Sequence, residues 1–79
     1  MNKLELKEYN DVYVRYLYTP EGKGEPGEIV YYFSDGAAKL EKRAEEDTAI
    51  GRYGYKATRK IEECVKENNL PIKFTQAWY

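Results

Sequence analysis

Two short segments decide the fold that this sequence predicts: residues 12–18, VYVRYLY, and residues 28–33, EIVYYF. Both are rich in β-branched and aromatic residues, which favour strands. Residues 19–28 between them contain two prolines and three glycines. Such a stretch is typical of a solvated connection. We therefore expect a β-hairpin with a flexible tip at residues 19–28.

The segments on either side of this hairpin are less uniform. Leu4 and Leu6 alternate with charged residues, so residues 3–9 either extend the first strand or form an additional strand that folds back. Residues 37–47 consist mainly of Ala, Lys and Glu, which are strong helix formers. We therefore expect a first helix there, with Ser34 or Asp35 as its N-cap.

The second half of the chain predicts a better amphipathic helix and a last strand. Apolar and small residues recur at helical spacing: Ala57, Thr58, Ile61, Cys64, Val65 and Asn68. Residues 72–79 alternate and are expected to lie beside either strand of the hairpin. The predicted fold class is α+β, with a small antiparallel or mixed sheet of three strands, or four with residues 3–9. The order along the chain is ββααβ, with both helices on one face of the sheet.

Length and charge limit the classes of protein to consider. Seventy-nine residues allow a single domain, residues 1–79. Thirteen basic and fourteen acidic residues leave a net charge of −1, without the basic excess of most nucleic-acid-binding proteins. We find no signal peptide and no membrane-spanning stretch, and the single Cys64 cannot form an internal disulfide. The expectation is a cytoplasmic protein that does not contact a membrane.

Catalytic chemistry has little support in the residue types. The sequence has no histidine, the commonest general base and metal ligand. Cys64 falls on an apolar helix stripe, which suits a core residue better than a nucleophile. The run at residues 45–47 puts carboxylates side by side, not across a cleft. We therefore expect a non-enzymatic protein with no catalytic residues, no cofactor and no metal site.

Alternation of side chains assigns the two faces of the sheet. One face, expected beneath the helices, collects Val12, Val14, Tyr16, Ile29, Tyr31, Phe33, Ile72, Phe74 and Trp78. The opposite face collects Tyr13, Arg15, Leu17, Val30, Tyr32, Lys73, Thr75, Ala77 and Tyr79. From the second face we select the candidate partner-binding residues Tyr13, Arg15, Tyr32, Lys73 and Tyr79.

Three interpretations of this face stay open. Tyrosine and arginine are enriched where proteins bind other proteins, so a protein partner or a second copy of the chain is the favoured function. The alternative is nucleic acid, with bases stacked on the rings and Arg15 and Lys73 on phosphates. The third is a solvated face whose tyrosines only form cross-strand pairs.

A weaker candidate site lies at residues 51–55, GRYGY. Its glycines would let a ligand approach the backbone, with Arg52, Tyr53 and Tyr55 as the contacting side chains. The same segment is also typical of a helix C-cap followed by a tight turn between helices, and we favour that structural interpretation.

Overall fold

The structure, a computed structural model, describes residues 1–77 as one antiparallel sheet with a single helix packed on it. The strands are β1 (Asn2–Tyr9), β2 (Tyr13–Pro20), β3 (Gly27–Tyr32), β4 (Ala37–Lys42) and β5 (Lys73–Gln76), and the helix is α1 (Arg52–Lys66). The order of strands across the sheet is β4-β3-β2-β1-β5. Every neighbouring pair is antiparallel.

The predicted ββααβ layout with two helices is wrong, because residues 37–42 form strand β4. Helix propensity amounts to a few tenths of a kcal/mol per residue, and tertiary context overrides it. The context here is a tight turn after β3, in which Gly36 has a φ of 66° and its N–H donates to the carbonyl of Tyr32. This turn brings Ala38 opposite Tyr31 and Leu40 opposite Ile29, so β4 extends the sheet. Ser34 and Asp35 therefore belong to a hairpin turn and cap no helix.

Residues 2–9 form the additional strand, which lies inside the sheet between β2 and β5. Leu4 pairs with Tyr18 on one side and with Phe74 on the other. The last strand therefore lies beside β1, and both positions expected for it, next to either hairpin strand, are wrong. The reason is that β1 occupies the edge of β2 that the last strand would otherwise have used.

The core lies between α1 and the face of the sheet that carries Asn2, Leu4 and Leu6 of β1 and the even-numbered residues of β2. Ala57 and Ile61 of the helix are fully buried there, against Tyr16, Tyr18 and other sheet residues. Each buried tyrosine hydroxyl is hydrogen-bonded, because an unpaired one would destabilise the core. The Tyr16 hydroxyl donates to the carbonyl of Pro71 at 2.6 Å, and burial raises the pKa of Tyr16 to about 12.

The amino end of α1 is held by two residues of the preceding loop. Asp47 accepts hydrogen bonds from the N–H groups of Tyr53 and Gly54, both at 2.9 Å. Thr48 accepts one from the N–H of Arg52 at 2.9 Å. Gly51 is the N-cap, with a φ of 73° that favours glycine. The interpretation of residues 51–55 as a C-cap between two helices is therefore wrong, since the segment begins the only helix in residues 1–77.

Three residues predicted beneath the helices are exposed instead: Val12 (60%), Phe33 (40%) and Ile72 (70%). All three lie just outside the strand bounds, where the alternation no longer dictates a face. Residues 21–26 connect β2 to β3, and the connection is hydrogen-bonded at its start, from the Gly22 N–H to the Thr19 carbonyl at 3.1 Å. Among the described residues, no helix is long and apolar enough to cross a membrane.

Candidate functional site on the open face of the sheet

We call the sheet face opposite α1 the open face. Cross-strand partners share a face, and the register places these described side chains on it: Lys3, Glu5, Glu8, Tyr13, Arg15, Leu17, Thr19, Glu28, Val30, Tyr32, Ala37, Lys39, Lys42, Lys73 and Thr75. Four of the five candidate residues, Tyr13, Arg15, Tyr32 and Lys73, therefore lie on the open face. Tyr79 lies outside the described residues.

Tyr13 and Tyr32 form a cross-strand pair at one end of the open face, and we call them the tyrosine pair. Their residues are directly opposite in the β2–β3 register, and the rings meet edge to face with centroids 6.1 Å apart. A cation lies near each ring, since Arg15 is 5.4 Å from the Tyr13 centroid and Lys39 is 5.9 Å from that of Tyr32. Both side chains are half-buried. The rings are thus held in place while part of each stays accessible.

Arg15 lies in the middle of the open face, surrounded by carboxylates. Its Nη1 is 3.0 Å from Glu28 and 3.3 Å from Glu41, and its Nε is 3.6 Å from Glu8. We call these four residues the Arg15 network. Burial lowers the pKa of Arg15, but hydrogen bonds from its guanidinium to Glu28 and Glu41 outweigh that effect, so the pKa is raised. The guanidinium is therefore charged and already paired.

The Arg15 network connects to the tyrosine pair and covers an apolar floor. The Tyr32 hydroxyl donates to Glu41 at 3.3 Å, the same carboxylate that pairs with Arg15. Val30 lies opposite both Arg15 and Lys39 and is fully buried, although α1, the one helix among the described residues, packs on the other side. Long side chains therefore cover this part of the sheet and hold one another in a defined arrangement.

The other end of the open face holds a groove of about 590 Å³, which we call the β5 groove. The residues that line it are Lys3, Leu4, Glu5, Leu17, Thr19, Gly22, Pro26, Lys73, Phe74 and Thr75. Lys73 pairs with Glu5 at 3.4 Å, whereas Lys3 forms no ion pair with any described residue. A volume of this size falls in the range of ligand sites, which are about 300–1,000 Å³.

The weaker candidates Arg52, Tyr53 and Tyr55 lie in the first turn of α1 and not in a loop. They are on the helix side of the sheet, away from Tyr13 and Arg15. The Tyr53 hydroxyl donates to Glu21 at 3.2 Å, whereas the side chain of Tyr55 is 60% exposed. The structure thus separates these three residues from the other candidates.

Sequence reasoning missed the acidic half of the open face. Alternation alone puts Glu28 on the same face as Val30 and Tyr32, but only the β2–β3 register brings it near Arg15, and Glu8 reaches this face through a bulge in β1. Glu41 falls in residues 37–47, for which the sequence predicts a helix, whereas the structure places it in strand β4. Lys3 and Glu5 are absent from the candidates because the sequence does not decide whether residues 3–9 extend the first strand or form an additional one. Alternation was the available signal, since it separates Lys3 and Glu5 from Leu4 and Leu6 and places Glu28 with Val30 and Tyr32.

Two features of the described residues concern nucleophilic and metal chemistry. Cys64 is buried against the core, and burial raises the pKa of its thiol, which keeps it protonated. Within residues 1–77 no group of three or more Cys, Asp or Glu side chains could hold a metal ion. The open face combines aromatic rings in edge-to-face contact, paired charges and an adjoining groove.

Comparison of the chain with protein-family models, with curated proteins and with solved structures found no significant match. The functional argument below therefore depends on the geometry of the open face.

Proposed function

We propose that this chain is a small non-enzymatic binding module that contacts another protein, or a second copy of itself, through the tyrosine pair and its surroundings. The observation that carries the proposal is the edge-to-face pair of Tyr13 and Tyr32, half-buried on a sheet face that no helix in residues 1–77 covers. Aromatic rings that are already ordered lose little conformational entropy on binding. They can therefore act as anchors in a protein contact.

The pattern of charges favours a protein partner over nucleic acid. Phosphate binding would need Arg15 and Lys73, and both already form ion pairs with carboxylates. A phosphate that approached Arg15 would also meet Glu8, Glu28 and Glu41, which would repel it. A face of mixed, paired charge around aromatic rings fits the polar rim of a protein interface.

A cytoplasmic setting is part of the same proposal. The one cysteine is buried and free, so nothing in the fold depends on an oxidising compartment.

Photo-crosslinking in the cells that encode the protein tests the proposal. A photoreactive residue replaces Ala37, which lies opposite Tyr32 on the open face, and in a second protein it replaces Tyr55, on the exposed side of α1. We expect a discrete crosslinked protein from position 37 and none from position 55. The double change Tyr13→Ser and Tyr32→Ser should remove this product, while the matched control Tyr55→Ser should keep it.

Two further measurements separate the alternatives. Nuclease and moderate salt should leave the crosslink unchanged, because phosphate-driven binding weakens steeply with salt and a desolvated aromatic contact does not. The double variant should also fold, with a loss of about 0.5–1.5 kcal/mol for the ring pair in addition to the loss of its half-buried ring surface. A nuclease-sensitive crosslink, or a product that survives the double change, would contradict the proposal. Unfolding of the double variant would show that the rings belong to the core.

A further inference from the structure

Strand β4 forms one edge of the sheet, and a side chain of α1 reaches its backbone. An edge strand presents unpaired N–H and C=O groups that can pair with another chain. The Ala38 N–H donates at 2.9 Å to the carboxylate of Glu62 in α1, so it points away from β3. A backbone N–H that donates to a carboxylate forms a charge-assisted hydrogen bond, which is stronger than a neutral one. The Glu62 oxygen thus lies where the carbonyl of an added strand would have to lie.

The next outward position of β4 has no such cover. Outward and inward backbone groups alternate along an antiparallel strand. Because the Ala38 N–H points outward, the N–H and C=O of Leu40 also point outward, and they have no partner among the described residues. The β3–β4 register shifts just beyond Leu40, so a regular ladder on this edge could extend over residues 37–41. Within residues 1–77, Glu62 is therefore the side chain that closes the β4 backbone to another strand.

The charges on β4 favour a second copy of the chain as the added strand. Lys39 is 62% exposed and Glu41 is 38% exposed, and both lie on the open face, where Lys39 is near Tyr32 and Glu41 contacts Arg15. Antiparallel pairing of two β4 strands about Leu40 places Lys39 of each copy opposite Glu41 of the other. The two Leu40 residues then exchange both hydrogen bonds. Opposite charges in such cross-strand pairs are stabilising.

The neighbouring registers lack this complementarity. A symmetric pair centred on residue 39 places Lys39 opposite its own copy, and one centred on residue 41 does the same with Glu41. Like charges directly opposite each other are destabilising. The charge pattern therefore favours the register about Leu40, in which both copies contribute the same surface.

We propose that the β4 edge is a self-association surface for a second copy of the chain, and that Glu62 keeps this edge closed in the monomer. The symmetric pair meets the obstacle twice, because the strand that passes Ala38 in each copy must displace Glu62 from the same N–H. Without Glu62, Ala38 and Leu40 are free to pair, in the way that strands extend exposed sheet edges. This edge is separate from the tyrosine pair and does not depend on the function proposed above.

The test begins with Glu62→Ala, which removes the acceptor and places a good helix former in α1, so the variant should fold. The matched control is Glu63→Ala, which removes a neighbouring carboxylate that pairs with Lys60 and not with β4. Analytical ultracentrifugation over a range of concentrations should show dimers of Glu62→Ala that neither Glu63→Ala nor the unchanged protein forms. Amide hydrogen exchange, followed by NMR, locates the contact. The Leu40 amide should become protected with rising concentration in Glu62→Ala only.

Two further variants separate the hydrogen bond from the charge pattern. Glu62→Gln keeps an acceptor oxygen for the Ala38 N–H, so it should behave like the unchanged protein. Lys39→Glu, added to Glu62→Ala, places glutamates opposite each other twice in the symmetric pair and should weaken self-association about tenfold. Its control is Lys73→Glu in the same background, which makes the same change of charge on β5, at the other edge of the sheet, and should leave self-association unchanged.

Several outcomes would overturn the inference. They are equal self-association of Glu62→Ala and Glu63→Ala, dimers of Glu62→Ala in which the Leu40 amide stays unprotected, and self-association of Glu62→Gln as strong as that of Glu62→Ala. Glu62→Ser, whose hydroxyl is too short to reach β4, repeats the comparison with a polar side chain in case Glu62→Ala precipitates.

The two proposals fail separately. The changes Tyr13→Ser and Tyr32→Ser, which should remove the crosslinked product, should leave the concentration-dependent protection of Leu40 in Glu62→Ala in place. Loss of that protection in the combined variant would show that the dimer forms through the tyrosine pair and not through β4.

Discussion

Replacing Asp47 by asparagine should destabilise the fold far more than the change of one atom suggests. In the native protein each carboxylate oxygen of Asp47 accepts two hydrogen bonds. Oδ1 takes them from the N–H groups of Thr48 and Tyr53, and Oδ2 takes them from the N–H of Gly54 and the hydroxyl of Tyr18. An asparagine has only one acceptor oxygen. In either orientation its NH₂ group would face two donors.

The magnitude follows from these lost contacts. A polar group left unsatisfied in a buried setting costs about 1–3 kcal/mol, and the Tyr18 hydroxyl is fully buried. Removing a negative charge from a helix N-terminus costs a further 0.3–1 kcal/mol, roughly, and up to about 2 in a partly buried site. We therefore expect Asp47→Asn to lower the free energy of unfolding by about 2–4 kcal/mol. Small domains have only about 0.05–0.15 kcal/mol of stability per residue, so this is a large share of the total.

Thermal and urea unfolding followed by far-UV circular dichroism would measure the loss. A domain of this size loses about 4–8 °C in Tm per kcal/mol, so Tm should fall by at least about 8 °C. The matched control is Glu46→Gln, which removes the same charge one residue away, where no hydrogen bond from a described residue is affected. It should change stability by less than about 0.5 kcal/mol.

Equal melting of Asp47→Asn and Glu46→Gln would refute this reasoning. A double-mutant cycle with Tyr18→Phe isolates the bond between Tyr18 and Asp47, for which we expect a coupling of about 1–2 kcal/mol. Additivity of the two changes would show that this bond contributes nothing to stability.

Two further predictions concern the core. Ile61→Ala should lower the free energy of unfolding by about 2–5 kcal/mol, because the side chain is fully buried beneath the sheet. Phe74→Ala should lower it less, because the ring is only half-buried. Equal melting curves for Ile61→Ala and the unchanged protein would disprove the helix-on-sheet core. Burial raises the pKa of Tyr16 to about 12, above the ordinary value of about 10. The protonated hydroxyl therefore contributes about 2–3 kcal/mol to the free energy of unfolding. This contribution is complete below about pH 10 and is lost as the pH rises toward 12. In urea unfolding between these pH values, Tyr16→Phe should lose less stability with rising pH than the unchanged protein. An identical pH dependence of the two proteins would contradict the raised pKa of Tyr16.

Part of this protein follows from local patterns alone. Alternation in β2 separates Tyr13 and Arg15 from Val14 and Tyr16, and the structure keeps that separation because side chains in a strand alternate whatever the strand pairs with. The apolar stripe through Ala57, Ile61 and Cys64 likewise indicates the buried side of α1. In both cases the spacing at which side chains return to the same side of a strand or helix determines which residues are buried.

The tertiary structure decided the rest. Residues 37–42 carry helix formers, yet pairing with β3 and contact with α1 made them a strand, because ladder bonds and burial outweigh small differences in propensity. The Asp35-Gly36 dipeptide was the local signal of a hairpin turn, but residues 37–47 favoured reading it as a helix start.

The candidate sites show the same division. Alternation could bring Tyr13, Arg15 and Tyr32 to one face, but only the register brings Glu28 and Glu41 to Arg15. The β5 groove exists because β1 enters the sheet between β2 and β5 and carries Lys3 and Glu5 to the open face. Strand pairing between segments that are distant in sequence determines which side chains meet across strands. One pairing is selected because it gives the packed sheet and helix together the lowest free energy.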